Sequence, residues 1–475
     1  MGELDNELKS AGQAHLLRFA DELTPSQRQS LEEQIEAIDF DQIKQLHRQS
    51  FDKPVEIDPS KIEPMEALIA ARSDSDRELR ARAVAVGLEA LLSGKVAVVL
   101  VAGGQGSRLG FEHPKGMFPI GPVTNASLFQ IHAEKILARG RQSGHTIPWY
   151  IMTSPTNDEE TRAYFVANKY FGLAPEQVMF FMQGTMPAVD IETGKVLLAG
   201  KGEVFASPNG HGGTLLAMRD QGVLADMAKR GCDYAFYFQV DNPFVDILDP
   251  GFIGYHILQQ ADVSLKVIRK AFPAEKLGLV IRYDGKPTVI EYSDLPDEIA
   301  KQVDEKGSLL YWTGSIAIHV FRRDFLERIT GAEVGLPYHF ARKKVAFVNE
   351  AGELIEPKTP NAIKFETFVF DCLSLAERVA VVETGRIEEY EPVKNAEGDH
   401  SPDVVRSAIG RKVSRWLQQA GISVPTADSG EPEFPLEISP LVGLSPDDFG
   451  RRVKDKSPVT GPTAWTEKGR VTGKG

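Results

Sequence analysis

The chain has 475 residues, 42% hydrophobic and 25% charged, with a formal net charge of −13 and a pI near 5.4. That length exceeds what one hydrophobic core supports, so more than one domain is expected. The acidic balance argues against general binding to nucleic acid or to an anionic membrane, and it leaves room for a local basic pocket around a phosphorylated ligand.

The N-terminal dozen residues, MGELDNELKSAG, carry no basic region followed by an apolar stretch, so no secretory signal is expected. Cys232 and Cys372 are the only cysteines and sit in no metal-like pair, which fits free thiols in a cytoplasmic protein. Residues from about 5 to 95 read as an N-terminal helical region. Leu16, Leu17, Phe19 and Leu23 have spacing compatible with one helix, residues 54–64 with a linker or extended crossing, and residues 66–92 with a second helical stretch. Gly94 stands where such a helix would stop.

At residue 96 the pattern changes. The run 96–102, VAVVLVA, is too short to span a bilayer and suits a strand buried on both faces. A glycine-rich loop follows, then a helix expected over 127–139 with Ser127 and Gln130 as a capping box and Gly140 as the stop. Further strands are expected at 149–152, 178–182, 234–240, 263–268 and 315–321, alternating with helical stretches. That alternation implies an α/β core over 96–390 with a mainly parallel sheet covered on both faces. Residues 391–475 form a small C-terminal domain whose basic, Gly/Pro/Thr-rich end is expected to be mobile or to drape over the core.

The loop after the first strand, VAGGQGSRLG at 101–110 closed by Pro114, Lys115 and Gly116, carries the clearest chemistry. Gly103, Gly104 and Gly106 let backbone N–H groups approach a phosphate or base, and Arg108 and Lys115 add fixed positive charge. Ligands of open α/β sheets bind at the carboxyl ends of strands, where this loop lies. A tight turn that needs glycine for backbone reasons alone is the plainer reading, and the two cations favour the phosphate site over it. The dinucleotide fingerprint is incomplete because Leu109 stands where its third glycine belongs, and no Gly-Lys-Ser/Thr makes a P-loop.

Other positions read two ways from the residues alone. Asp241 and Asn242 end an aromatic strand, which suits either a Mg²⁺ ligand or an Asx turn. GHGG at 210–213 precedes a helix near 214–218 and is either a base or anion site or a flexible connection. Glu291 reads as a solvated strand-end residue. Lys364, in a helix-like stretch with Phe365, Phe368, Val369 and Phe370 as core, and Lys394, in a polar turn, read as solvated charges.

VAGGQGSRLG with PKGM resembles the signature of the eukaryotic-type UDP-sugar pyrophosphorylases, above all the UDP-N-acetylglucosamine pyrophosphorylases. The resemblance extends in order through QAHLLRF, FFMQGTMPA, PNGHGG, QVDNPFVDILDP, LGLVIRYDGKPTVIEYSD, LPYHFARKK, NAIKFETFVFD, EPVKNAEG and LEISPL. It implies a three-layer, Rossmann-like nucleotidyltransferase core of the GT-A-like kind, with UTP and a hexose 1-phosphate as partners and Mg²⁺ as cofactor. It assigns nucleotide contacts to Ala102, Gly103, Gly104, Gln183 and Gly210, with Gly104, Gln183 and Gly210 on the uracil. It places Asp241 on the metal, Glu291 on sugar hydroxyls, Gly278 beside the sugar, and Arg108, Lys115, Lys364 and Lys394 on phosphates. His211 and Ser315 stand where the acetamido-sugar enzymes carry asparagines at the sugar, and a His-Gly pair is more like the UDP-glucose pyrophosphorylases. The implied reaction is direct displacement at the α-phosphorus of UTP, catalysed by positioning and charge neutralisation. The rival readings are a dinucleotide-dependent dehydrogenase and a non-catalytic UDP-sugar sensor.

Overall fold

The computed structural model describes residues 2–52, 57–68, 73–292, 294–331 and 335–473. Positions 54–56 of the expected linker and 69–72 of the expected second helical stretch lie outside the described residues. The chain forms two compact units, one of Met1–Ile57, Gln183–Ala217 and Glu333–Cys372, the other of Asp58–Met182, Met218–Ala332 and Leu373–Gly475.

The second unit is built on a ten-stranded sheet. Strands Tyr234–Gln239, Val96–Val101, Trp149–Thr153 and Val178–Met182 pair in that order, all parallel. Ala97, Val98, Val99 and Leu100 are wholly buried, as a strand covered on both faces requires. Every strand expected in this unit is present, but the sheet is mixed rather than mainly parallel. Thr313–Arg322 runs antiparallel both to Tyr234–Gln239 and to Val263–Arg269. Leu279–Tyr283 and Lys286–Ile290 form a hairpin whose turn residues, Asp284 and Gly285, have φ of 51° and 75°. Asp-Gly with both φ positive is the tight hairpin turn that matches strand twist, and it forces the antiparallel return.

Helix Asp74–Leu92 starts at a Ser73–Asp76 capping box and ends at Ser93, with Gly94 following at φ 65°. It packs closely on helix Pro250–Leu258: a Cβ on Gly87 would lie 1.8 Å from the Pro250 carbonyl oxygen, and one on Gly254 would lie 1.7 Å from that of Ala83. Helix Leu128–Ser143 is capped by Ser127 as expected. Gln130 turns instead to Glu134 at 2.8 Å, and the helix runs through Gly140 to a left-handed Gly144. The C-terminal segment forms structure as far as Thr472. Strand Leu436–Ile438 pairs with Thr463–Thr466, which pairs with Gly469–Thr472, over a core of Leu417, Phe449 and Trp465. Glu437 accepts from the Val123 and Thr124 amides at 2.9 and 2.8 Å and from the Thr124 hydroxyl at 2.5 Å, tying this sheet to the segment before helix Leu128–Ser143.

The first unit gathers the helices Gly2–Ser10, Pro25–Glu36 and Phe40–Gln49 over a core of Leu8, Leu31, Ile35, Ile43, Val189 and Phe365. Residues 16–23 are not one helix: two short 3-10 turns, Ala14–Leu17 and Ala20–Glu22, replace it. Strand Ala362–Glu366 lies between His339–Lys343 and Val189–Asp190, so Lys364 is on a strand and not in the expected helical stretch. Among the described residues no helix is long and apolar enough to cross a membrane.

Candidate functional site

The residues singled out by sequence divide between the two units. In the larger unit the glycine loop leaves the carboxyl end of Val96–Val101, as the strand–loop reading required. The Asn157 amide donates to the Ala102 carbonyl at 2.9 Å, and the Lys115 amide donates to the Gly104 carbonyl at 3.1 Å, folding the loop back on itself. Gly104 faces open space, whereas a Cβ on Gly116 would lie 2.2 Å from the Phe129 ring. Gly116 is therefore needed for packing, while the Gly104 side of the loop is open. Gly103 is half-buried, Ala102 is buried, and Arg108 is exposed with no ion-pair partner among the described residues.

The neighbouring strand Tyr234–Gln239 ends beside this loop, its register in step with Val96–Val101. Asn242 takes the Asx role: its Oδ1 accepts from the Phe244 amide at 3.1 Å while its amide donates to the Glu389 carbonyl at 2.8 Å. That leaves the Asp241 carboxylate free of the turn, 3.9 Å from the Lys115 ammonium. The Asp241 backbone carbonyl accepts from the Val393 amide at 2.8 Å, which brings Lys394 alongside. Burial opposes the charge on Lys394, but Asp241, Tyr390 and Glu291 together outweigh it and its pKa is raised. The same ammonium lies 6.0 Å from the Tyr390 ring centroid.

Gly278, Glu291 and Ser315 also share this unit. The Ser315 amide donates to the Gly278 carbonyl at 2.8 Å, and a Cβ on Gly278 would stand 3.5 Å from a Glu291 carboxylate oxygen. Ser315 lies on Thr313–Arg322 at a bulge, where Ala317 has φ 55° and the pairing with Val263–Arg269 shifts. A bulge re-aims side chains at a sheet end. Lys115, Asp241 and Lys394 thus form one charged group, with Glu291 close enough to influence it.

In the smaller unit Gln183 and Gly210, which the resemblance assigns together to the uracil, meet directly: the Gln183 amide donates to the Gly210 carbonyl at 2.6 Å. Gly210 has φ 81°, and a Cβ there would lie 2.3 Å from the Thr367 carbonyl oxygen. His211 is locked beside it. Its Nδ1 accepts from the Val369 amide at 3.1 Å, and its ring stacks on Phe368 at 5.3 Å and meets Phe370 edge-on at 5.5 Å. Burial pulls its pKa down to about 4, so the ring is neutral with its proton on Nε2. The Lys364 ammonium sits over the Phe205 ring at 5.0 Å, and burial lowers its pKa.

Sequence reasoning missed Asn157, Phe368 and Phe370 as parts of these arrangements. Asn157 could be suspected as a helix cap from the acidic DEE that follows it, but nothing in the pattern connects it to residue 102. Asn209, next to Gly210 in the smaller unit, holds a buried Oδ1 with no partner among the described residues.

A sequence profile described as UTP–glucose-1-phosphate uridylyltransferase matches residues 29–401. The chain is 38% identical over 469 residues to the UDP-N-acetylhexosamine pyrophosphorylase-like protein 1 of Mus musculus, covering 92% of each chain. It is 37% identical over 463 residues to UDP-N-acetylglucosamine diphosphorylase 2 of Arabidopsis thaliana, covering 92% of this chain and 89% of the relative. The crystal structure of the uridine diphosphate N-acetylglucosamine pyrophosphorylase from Trypanosoma brucei, in complex with an inhibitor, superposes with a TM-score of 0.80 at 28% identity, covering 94% and 93% of the two chains. With a matching profile over most of its length and such relatives across nearly all of it, the chain belongs to the UTP–glucose-1-phosphate uridylyltransferase family and is similar to UDP-N-acetylglucosamine pyrophosphorylases.

Proposed function

We propose that the chain is a uridylyltransferase that makes a UDP-sugar and pyrophosphate from UTP and a hexose 1-phosphate. The observation that carries this reading is the Lys115–Asp241–Lys394 group at the carboxyl ends of parallel strands, beside an open glycine loop. A non-catalytic sensor needs uracil and sugar contacts and has no use for such a charged group. An oxygen of the sugar phosphate attacks the α-phosphorus of UTP, a new P–O bond forms there, and the bond to the bridging oxygen of the β-phosphate breaks as pyrophosphate leaves. The nucleophile is already anionic, so no serine, cysteine or histidine nucleophile is required.

Arg108 and Lys115 neutralise the departing pyrophosphate, and Lys394 holds the sugar phosphate. Ala102, Gly103 and Gly104 offer backbone groups to the nucleotide. In the smaller unit, taken by itself, the Gln183–Gly210 pair makes a fixed polar edge of the kind that suits a base. Asp241 fits the donor set of Mg²⁺. That ion typically takes one or two protein carboxylates and fills its shell with water and phosphate oxygens. Among the described residues no group of three or more His, Cys, Asp or Glu forms a protein-only cage. Bound there, Mg²⁺ would withdraw charge from the phosphate oxygens. The strand ends, the open loop and the helices suit a Rossmann-like, GT-A-like arrangement of these parts.

Overall similarity favours N-acetylglucosamine 1-phosphate as the sugar. A specific observation favours glucose 1-phosphate as the second reading: His211 is a locked neutral ring where the acetamido-sugar enzymes carry an amide. Incubation with UTP labelled at its α-phosphorus tests the chemistry. All label should pass into UDP-sugar and none into pyrophosphate. Label in pyrophosphate, or no transfer with either sugar phosphate, contradicts the reading.

A further inference from the structure

Three charged side chains of the larger unit that the proposed chemistry does not use are buried together. Lys266, on strand Val263–Arg269, has a side chain 2% exposed, with Glu389 at 9% and Asp249 at 18%. The Lys266 ammonium donates to Asp249 at 2.8 Å and to both Glu389 carboxylate oxygens at 2.5 and 2.7 Å. It also lies 5.2 Å from the Phe252 ring centroid. The Thr384 hydroxyl donates to the same Glu389 carboxylate at 2.7 Å. Burial opposes the charge on Lys266, but the two carboxylates outweigh it and its pKa is raised.

The two carboxylates come from the two segments that carry the charges of the site. Asp249 closes the segment that begins at Asp241, and it caps helix Pro250–Leu258 by accepting from the Gly251 amide at 2.8 Å. Glu389 begins the segment that ends at Lys394. The same two segments are stitched again nearer the site. The Asn242 amide donates to the Glu389 carbonyl at 2.8 Å, and its Oδ1 accepts from the Glu391 amide at 3.3 Å. The Val393 amide donates to the Asp241 carbonyl at 2.8 Å. One buried ammonium thus joins the segment of Asp241 to the segment of Lys394. Taking such charges out of water is costly, and well-packed apolar side chains often hold a core as firmly. An ammonium shared by fixed oxygens supplies what apolar packing does not, a single register.

We propose, on the reading that Lys394 holds the sugar phosphate, that Lys266 and Glu389 are positioning residues for the transfer: their buried ion pair sets the segment 389–394 so that the Lys394 ammonium stands beside Asp241. Neither residue touches substrate. Loosening the pair leaves the glycine loop and Lys115 in place and moves the cation that meets the sugar phosphate.

Glu389→Gln in the full chain keeps the shape of the side chain and removes its charge. It should lower kcat/KM for the hexose 1-phosphate by roughly ten- to a hundredfold, the upper figure being that of a misplacement by about 1 Å, and leave the KM for UTP unchanged. In a Lys394→Met background the same substitution should have no further effect, because both act through one group. Acetylation of Lys394 by acetic anhydride, followed by mass spectrometry against the exposed Lys301, reads the geometry without turnover. It should be faster in Glu389→Gln than in the parent chain. Thr384→Val, which removes one hydroxyl from Glu389 and leaves the ion pair, should show the same pattern more weakly, and it decides the matter if Glu389→Gln does not fold. Equal losses in both backgrounds, a loss carried by the KM for UTP, or unchanged acetylation of Lys394 would each overturn the proposal. A parent chain that transfers nothing refutes the reading of Lys394 as a phosphate group, and acetylation alone then decides whether the pair positions it.

Discussion

Lys115→Met removes one charge from the proposed site and keeps most of the side chain's volume. In the structure the ammonium is 3.9 Å from an Asp241 oxygen, and the two side chains are 17% and 14% exposed. At that separation and an effective dielectric constant of about 20, two unit charges attract by about 4 kcal/mol, which solvent access makes a ceiling. Without Lys115, Asp241 would face the incoming triphosphate with less neutralisation, and the departing pyrophosphate would lose a cation. Losing one such preorganised contact costs about 2.7–4 kcal/mol, or roughly 10²- to 10³-fold in kcat. Steady-state pyrophosphate release would measure it, with thermal melting to show the fold intact. Lys115→Arg should recover part of the loss. Lys115→Met combined with Asp241→Asn should cost less than the two single effects summed, because the residues interact. A Lys115→Met protein within threefold of the parent in kcat, or strictly additive losses in the double variant, would refute this account of the charged group.

Gly210→Ala should raise the KM for UTP and destabilise by about 1–2 kcal/mol or more, since φ is 81° and the new Cβ would meet the Thr367 carbonyl oxygen at 2.3 Å; a melting curve unchanged from the parent would contradict it. His211 titrates near 4 folded against 6.5 in the unfolded chain, so the unfolded chain binds more protons between those values. Its contribution is fully present above about 6.5 and is lost as pH falls toward 4, and His211→Phe should flatten that part of a denaturant-derived stability profile. Glu437→Gln should destabilise by about 1.5–3 kcal/mol, because a carboxylate accepting three hydrogen bonds at 2.5–2.9 Å loses its charge; chemical denaturation would measure it.

Where one physical signal dominated, the sequence was readable. VAVVLVA followed by glycines could only bury itself on both faces, and it became the inner strand Val96–Val101 with its loop at the carboxyl end. The Asp241–Asn242 pair kept two readings that both proved informative, because Asn242 takes the turn and Asp241 keeps its carboxylate. Short-range ambiguity accounts for the misreadings. Phe365, Phe368 and Val369 mimic helical spacing, yet AIKFE pairs on both sides as a strand. Gly140 looked like a stop, but the helix tolerates it and ends at Gly144, where a left-handed residue is required. Asp284-Gly285 carried a hairpin signal that the alternation of strands and helices concealed, and with it went the antiparallel part of the sheet.

Tertiary pairing was beyond sequence pattern. Gln183 and Gly210 are 27 residues apart, and no periodicity connects an amide side chain to that carbonyl. The locking of His211 depends on Val369, Phe368 and Phe370, 158 residues downstream in the case of its Val369 bond. Family resemblance suggests roles for these positions, and the structure supplies reasons for their shapes: at 210 a glycine with φ 81° whose added Cβ would meet the Thr367 carbonyl oxygen, and at 211 a ring held neutral.

The most direct measurement is pyrophosphate release from UTP and Mg²⁺ with N-acetylglucosamine 1-phosphate and glucose 1-phosphate in parallel. Release should depend on both the sugar phosphate and Lys115, with the preferred sugar showing whether His211 and Ser315 reset specificity. No release with either sugar, together with tight binding of UDP-sugar, would contradict it and identify the chain as a sensor.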